Sequence, residues 1–309
     1  MRVINHLNQI PKEEKIILTI GNFDGIHSGH QSLISSVQEK AKRINSKFVL
    51  ISFWPHPKQV LSPKKKGFLL NTREEKIKRA DALGIDYFFE INFDRDFSTQ
   101  TPNEFLDSYI FKHEGIQEIF LGYDFSFGAN KEGGFDLAYS RGKEFNIKVN
   151  QLKALKVDEK IVSSSLIRQS LALGEVEEAA RLLGYPYRLS GRIIKGQGRG
   201  KKIGFATANI ELHPFKLLMK KGVYITKSKI NKSVYHSVTN IGKNPTFGDI
   251  DQLQIETHLL GFDRDIYGEK LEVEFLKRLR DEVSFSSVNE LLDQINLDVQ
   301  KAKSYFKSE

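Results

Sequence analysis

Two hydrophobic periods follow one another along this chain. Up to about residue 184, short β-branched or aromatic runs at 16–20, 48–53, 87–91 and 118–121 alternate with stretches whose apolar residues recur at helical spacing. Leu33, Ile34, Val37 and Ala41 predict an amphipathic helix to about residue 43. Thr72-Arg73-Glu74-Glu75 and Thr101-Pro102-Asn103-Glu104 have the form of capping boxes and predict two more helix starts. Leu166, Ile167, Leu171 and Leu173 mark another helix, and 175–183 a last one that stops at Gly184-Tyr185-Pro186. Strands and helices in alternation predict a parallel sheet covered on both faces.

Beyond residue 184 the period shortens to two. Alternating runs at 187–194, 208–212, 222–230, 233–241, 254–260 and 271–279, joined by short Gly and Asn-Lys turns, predict a small closed antiparallel barrel of six strands. Val288, Leu291, Leu292, Ile295, Val299, Ala302 and Phe306 then form one helical stripe, expected to pack on the barrel. The domains expected are 1–184 and 185–309.

Composition agrees with two globular domains: 309 residues, 39% hydrophobic and 28% charged. No secretory leader or bilayer-length apolar run is visible, and there is no cysteine, so disulfides and thiolate metal sites are excluded. A cytoplasmic protein is expected. The net charge of +8 suggests anionic ligands, and nucleotide phosphates, nucleic acid or a plain basic surface all fit that sign.

The first candidate chemistry follows the strand at 16–20. Gly21 ends the apolar run, a glycine-containing loop follows, and His27 and His30 open the next helix. Free backbone N–H groups and the positive end of the helix dipole make such a start an anion site. Placed at i and i+3, His27 and His30 share a face and can reach one phosphate, with Gly29 between them leaving room. A pair of surface histidines would read the same way. Trp54-Pro55-His56-Pro57 is expected as a stiff, extended loop at a strand's C-terminal end. Gly122-Tyr123-Asp124-Phe125-Ser126-Phe127-Gly128 suits either a loop that stacks a flat ring or a turn over buried phenylalanines. Ser163 and Ser164 are helix caps that double as phosphate donors, with the Arg168 fork one turn on.

In the second half, 191–209 combines loop glycines and cations, including Gly198, Lys201 and Lys202, with a Thr-x-Asn pair. Thr207 and Asn209, two apart on a strand, face one side and offer one Mg²⁺ a hydroxyl and an amide oxygen. Glu256 sits in an alternating strand, where a carboxylate either faces water or serves as a base. A glutamate's ordinary pKa near ~4.3 leaves it ionised at neutral pH, ready to accept a proton.

The stretch Gly21-Asn22-Phe23-Asp24-Gly25-Ile26-His27-Ser28-Gly29-His30 resembles the His-x-Gly-His signature of nucleotidylyltransferases, in the form used by bacterial FAD synthetases. The Phe-x-Pro-His-Pro element and the loop at 122–128 resemble the same family, as does Ser163-Ser164-Ser165-Leu166-Ile167-Arg168, with Ser165 where the family has Thr. Gly204-Phe205-Ala206-Thr207-Ala208-Asn209 looks like the riboflavin kinase motif Gly-Phe-Pro-Thr-Ala-Asn with Ala206 for proline, and matches continue at 221–224, 240–248, 256–258, 265–268 and 279–282. Nearly the whole chain is thus similar to the bifunctional prokaryotic riboflavin kinase/FAD synthetase family.

The resemblance implies a Rossmann-like, nucleotidylyltransferase-type α/β domain followed by a kinase barrel, with ATP and Mg²⁺ used to convert riboflavin to FMN and FMN to FAD. It assigns catalysis to His27, His30, Arg168 and Glu256, and nucleotide binding to Gly21, Phe23, Asp24, Gly29, His56, Ser163, Ser164, Gly198, Lys201 and Lys202. It assigns flavin contacts to Gly122, Asp124, Phe125, Phe127, Asn240 and Arg280, and metal to Thr207 and Asn209. Asp24 and Asp124 are left between ribose, flavin and metal. Expected partners are small molecules, without nucleic acid or membrane, and a homo-oligomer is left open. The competing expectations are an FAD synthetase with an inactive barrel and a non-catalytic flavin- or nucleic-acid-binding module.

Overall fold

The computed structural model describes residues 1–64, 66–196, 204–243 and 253–308. They fall into two compact units, Met1–Ser164 and Ser165–Glu309.

The first unit is built on a six-stranded sheet in which every pairing is parallel. Its strands are β1 (Arg2–Ile4), β2 (Ile16–Ile20), β3 (Lys47–Trp54), β4 (Tyr87–Asn92), β5 (Ile116–Gly122) and β6 (Lys148–Leu152), in the order β1-β4-β3-β2-β5-β6. Alternate residues feed opposite faces. Ile16, Leu18 and Ile20 join a core with Phe105, Ile110 and Ala138, whereas Ile17, Phe48 and Leu50 meet Ile34, Val37 and Ala80 on the other side. Burial on both faces is why these strands read as unbroken apolar runs. Strand order reverses between β2 and β5, so their C-terminal ends open the crevice where doubly wound sheets bind ligands.

The predicted helices are present, at Ser28–Arg43, Arg73–Ala82, Pro102–Phe105, Ser164–Leu173 and Val176–Leu183. Both capping boxes form. The extended loop expected at Trp54-Pro55-His56-Pro57 is cut short: His56 keeps an extended backbone, but Pro57 begins the short helix Pro57–Leu61, and His56 caps it by accepting the Lys58 N–H on Nδ1 (3.1 Å). Proline's fixed φ suits the first helical position, and that preference prevails over chain extension here. The edge strands β1 and β6 had no sequence forecast. One has only three residues, and the other, Lys-Val-Asn-Gln-Leu, is polar as exposed edges usually are.

In the second unit the chain leaves Val176–Leu183 through Gly184, whose φ of 77° makes it a left-handed cap. Six strands follow: β9 (Tyr187–Ile194), β10 (Ala208–Leu212), β11 (Gly222–Ile230), β12 (Ser233–Lys243), β13 (Leu253–Leu259) and β14 (Lys270–Arg280), with a two-residue ribbon (Lys156–Val157 and Lys160–Ile161, β7 and β8) lying earlier in the chain. They close into an antiparallel barrel in the order β10-β13-β12-β11-β14-β9, as the pattern forecast. The helix Val288–Lys307 packs against β12, but its expected stripe is only partly used. Val288 is exposed, whereas Asp298 and Ala302 are buried and Phe306 stacks on His236 at 3.8 Å. The polar Asp298 is drawn in by its ion pair with Arg280.

Closure brings β9 against β10 at Gly191, where any Cβ would collide with the Glu211 carbonyl. Gly191→Ala should destabilise the second unit by about 1–3 kcal/mol, the usual cost of overpacking. Scanning calorimetry should show that unit's transition lowered and the first unit's unmoved.

Candidate active sites

In the first unit, β2 runs into a turn whose backbone is held in left-handed conformations at Phe23 (φ 46°), Gly25 (φ 89°) and Ile26 (φ 35°). Such angles are costly for Phe and most of all for β-branched Ile, and they cluster where function demands a fixed shape. The turn delivers His27 as the cap of Ser28–Arg43, one residue before the helix begins, so it does not share a helical face with His30 as expected. His27 Nδ1 accepts the His30 N–H (3.3 Å), and the two rings stack with centroids 3.6 Å apart. Phe23 meets His30 edge-on at 5.0 Å. Gly29 matters for packing the pair: a Cβ there would lie 3.2 Å from His27 Nδ1. His30 Nδ1 is buried and has no hydrogen-bond partner among the described residues. Burial first, then the neighbouring His27 and the Lys76 ammonium, hold the His30 imidazole well below the usual histidine range, so it is neutral at pH 7.

Other candidates are consumed by structure. Asp24 is buried, and its carboxylate accepts the N–H groups of Leu70 (3.0 Å) and Asn71 (3.1 Å). Ser164 Oγ donates to the Asp24 carbonyl (2.8 Å), tying the serine segment to the histidine turn. His56 is buried in its capping role, with its ring edge-on to Phe68. Phe127 belongs to the core, packed on Phe105 and Phe125, while Phe125 stays half-buried and Asp124 exposed. Gly122 ends β5 at the crevice. A cavity of about 940 Å³ opens at the ends of β3 and β4, with Trp54, Asn92, Phe97, Gln100 and Tyr109 in its wall. Arg168 lies one turn into Ser164–Leu173, in the second unit.

In the barrel, register assembles the second site. Asn209 on β10 stands directly opposite Glu256 on β13, and Glu256 directly opposite Asn240 on β12. Their neighbours Ala208, Ile255, Thr257, Thr239 and Ile241 are buried, so the three polar residues form one row on the other face of three adjacent strands. Directly paired side chains stand about 5 Å apart at Cβ. Gly196 leaves the space that the Asn209 amide fills. His258 Nδ1 donates to the Ala206 carbonyl (2.9 Å), fixing the approach to Thr207 through the main chain, a contact indifferent to the missing proline. The Arg280 fork is taken by Asp298 (2.9 and 2.7 Å). Gly198, Lys201 and Lys202 lie outside the described residues. No cluster of three His, Asp or Glu that could hold a metal exists among the described residues, and Thr207 stands just before β10 rather than on it, with Asn209 within the strand.

Sequence reasoning missed the buried Lys76, whose only signal is its place four residues before the buried Ala80 on one helix face.

A family model for FAD synthetase matches residues 9–166, and one for riboflavin kinase matches residues 183–306. The bifunctional riboflavin kinase/FMN adenylyltransferase of Haemophilus influenzae is 36% identical over 94% of this chain and 94% of its own. That of Bacillus subtilis is 35% identical over 99% of this chain and 98% of its own. The chain belongs to the bifunctional riboflavin kinase/FMN adenylyltransferase family. A crystal structure from Streptococcus pneumoniae described as a macrolide-efflux protein shares its fold, with a TM-score of 0.86 and 30% identity over 97% of this chain and 98% of that one. Among the described residues, no helix of this chain is long and apolar enough to cross a membrane.

A histidine kept neutral by folding makes the native state acid-sensitive. Below the unfolded value of about 6.5 the unfolded chain takes a proton that the native chain refuses. Stability of the first unit should therefore fall from pH 7 toward pH 5.5, and His30→Gln should flatten that loss. Urea unfolding followed by the fluorescence of Trp54, the chain's single tryptophan, measures both.

Proposed function

We propose that this chain converts riboflavin to FMN in its barrel and FMN to FAD on its parallel sheet, spending one ATP in each step. The register that lines up Asn209, Glu256 and Asn240 carries the reading, because it sets a carboxylate beside an oxygen donor for metal. In the barrel, Glu256 takes the proton of the ribityl 5′-hydroxyl. The freed oxygen attacks the γ-phosphorus of ATP, and ADP leaves. Thr207 and Asn209 would hold Mg²⁺, which neutralises charge on the transferring phosphate. Asn240 orients the flavin. Gly198, Lys201 and Lys202, outside the described residues, are assigned to the ATP phosphates on their glycine and lysine chemistry alone. Arg280, being committed to Asp298, serves the flavin site by fixing the end of β14.

On the sheet, an FMN phosphate oxygen attacks the α-phosphorus of a second ATP, the α–β bridge breaks, and pyrophosphate leaves. The nucleophile is already an anion, so alignment and charge stabilisation suffice. His27, His30 and the N–H groups of the helix start receive the phosphates, together with Ser163, Ser164 and Arg168. Gly21, Phe23 and Gly29 shape that turn, Asp24 braces it by accepting the Leu70 N–H, and His56 holds the start of the helix Pro57–Leu61. Gly122, Asp124 and Phe125 border the flavin, with Phe125 offering the stacking face and Phe127 packed in the core against it. This reading divides the activities at 184/185, twenty residues beyond the division by compactness. It places the enzyme in the cytoplasm with small-molecule partners.

Chromatography of riboflavin, FMN and FAD over time tests both halves. Glu256→Gln should slow riboflavin phosphorylation by about 10²–10⁴-fold while FMN still becomes FAD. His30→Ala should slow FAD formation by about 10²–10³-fold and let FMN accumulate. A wild-type protein that leaves riboflavin untouched but adenylylates FMN refutes the kinase half, and one inert toward both flavins refutes the proposal.

A further inference from the structure

Lys76 is a lysine inside a core. Only 3% of it is exposed, and it sits on the face of Arg73–Ala82 that packs toward the sheet. Its Nζ donates to the Asn22 carbonyl (2.8 Å) and to Ser52 Oγ (3.1 Å), and Ser52 in turn donates to the same carbonyl (3.1 Å). Asn22 opens the turn that ends in His27, and Ser52 lies on β3. No carboxylate stands within ion-pair distance of Lys76 among the described residues. The charged and titratable groups that face it are Asp24 from the turn, already bonded to Leu70 and Asn71, Glu90 from β4, bonded to Arg73, and His30 from the next helix. Burial pulls the ammonium down to about 8, against the pull of Asp24 and Glu90.

A buried cation without a carboxylate is expensive, and a thioether of similar length would fill the same space at less cost. Packing therefore gives no reason for an ammonium here. Electrostatics does, because a fixed positive charge in a water-poor site acts strongly on charge that arrives beside it.

We propose that Lys76 is a positioning residue for adenylyl transfer: its ammonium pins Asn22 to β3, sets the path of the turn that presents His27 and His30, and supplies fixed positive charge beside that pair. The proposal rests on the reading that the two histidines receive the ATP phosphates. Polyphosphate entering the turn then meets a preset cation and a neutral His30, the form the site uses.

The test follows kcat and KM for ATP in FAD formation from FMN between pH 5.5 and 9. It uses the full chain carrying Lys76→Met, Lys76→Arg, Ser52→Ala or His30→Ala, with riboflavin phosphorylation in the same preparations as reference. Lys76→Met should lower kcat/KM for ATP about 10–100-fold and leave riboflavin phosphorylation within twofold. It should also move the acid limb of the FAD profile to higher pH, since His30 loses a neighbouring cation. Lys76→Arg should restore the limb but only part of kcat. Lys76→Met with kcat/KM within threefold and an unmoved limb overturns the proposal, as does a loss in kcat/KM with an unmoved limb beside an impaired His30→Ala. An unimpaired His30→Ala overturns the histidine reading itself. Should Lys76→Met fail to fold, Ser52→Ala decides: it keeps the charge and loses one anchor, so a severalfold lower kcat with the acid limb in place supports the proposal, and an unchanged kcat overturns it.

Discussion

Phe23 and Ile26 hold backbone angles that cost side-chain-bearing residues on the order of 1–3 kcal/mol each, and much of the first unit is arranged to keep them there. Asp24 anchors the turn to Leu70 and Asn71, and Lys76 with Ser52 grips Asn22 from below. Ser164 closes on the Asp24 carbonyl, while Gln31 Nε2 donates to the Ile26 carbonyl (2.8 Å) from the helix itself. Each anchor comes from a different part of the chain. With the turn so determined, the stacked histidines and the helix start are presented at the switch point of the sheet without having to reorganise when a phosphate arrives.

The barrel reaches a comparable rigidity through buried hydroxyls. Ser228, Ser237, Thr226, Thr239 and Thr257 form one hydrogen-bonded ladder across β11, β12 and β13, with contacts of 2.7–3.0 Å. A fully connected polar network in a low-dielectric interior allows little register error, because a slipped strand would strand a hydroxyl without a partner. Register is what the site needs. The alternation that sends Thr257 inward sends Glu256 to the opposite face, in line with Asn209 and Asn240.

The two units thus meet similar ligands by different means. The sheet offers main-chain N–H groups and the neutral His30 imidazole at a helix start, suited to aligning an anionic nucleophile with an α-phosphate. The barrel offers a carboxylate and neutral oxygens on a strand surface, suited to removing a proton and seating a cation. That division follows from the nucleophiles: a hydroxyl needs a base, and a phosphate does not.

The amino-acid sequence by itself determined the parallel sheet, the six barrel strands and the two capping boxes. All of these are written in local spacing, period two or period 3.6, or in a few consecutive residues. Only the tertiary structure decided which polar side chains are spent on the fold. Asp24 and Arg280 look like ligand-binding groups in the sequence, yet one is claimed by backbone 46 residues away and the other by Asp298 on the last helix. Lys76 looks like one solvated lysine among many and is instead buried against Asn22. Periodicity reports whether a position faces a core. The partner that satisfies a buried charge comes from wherever the chain folds back, and no local pattern records that distance.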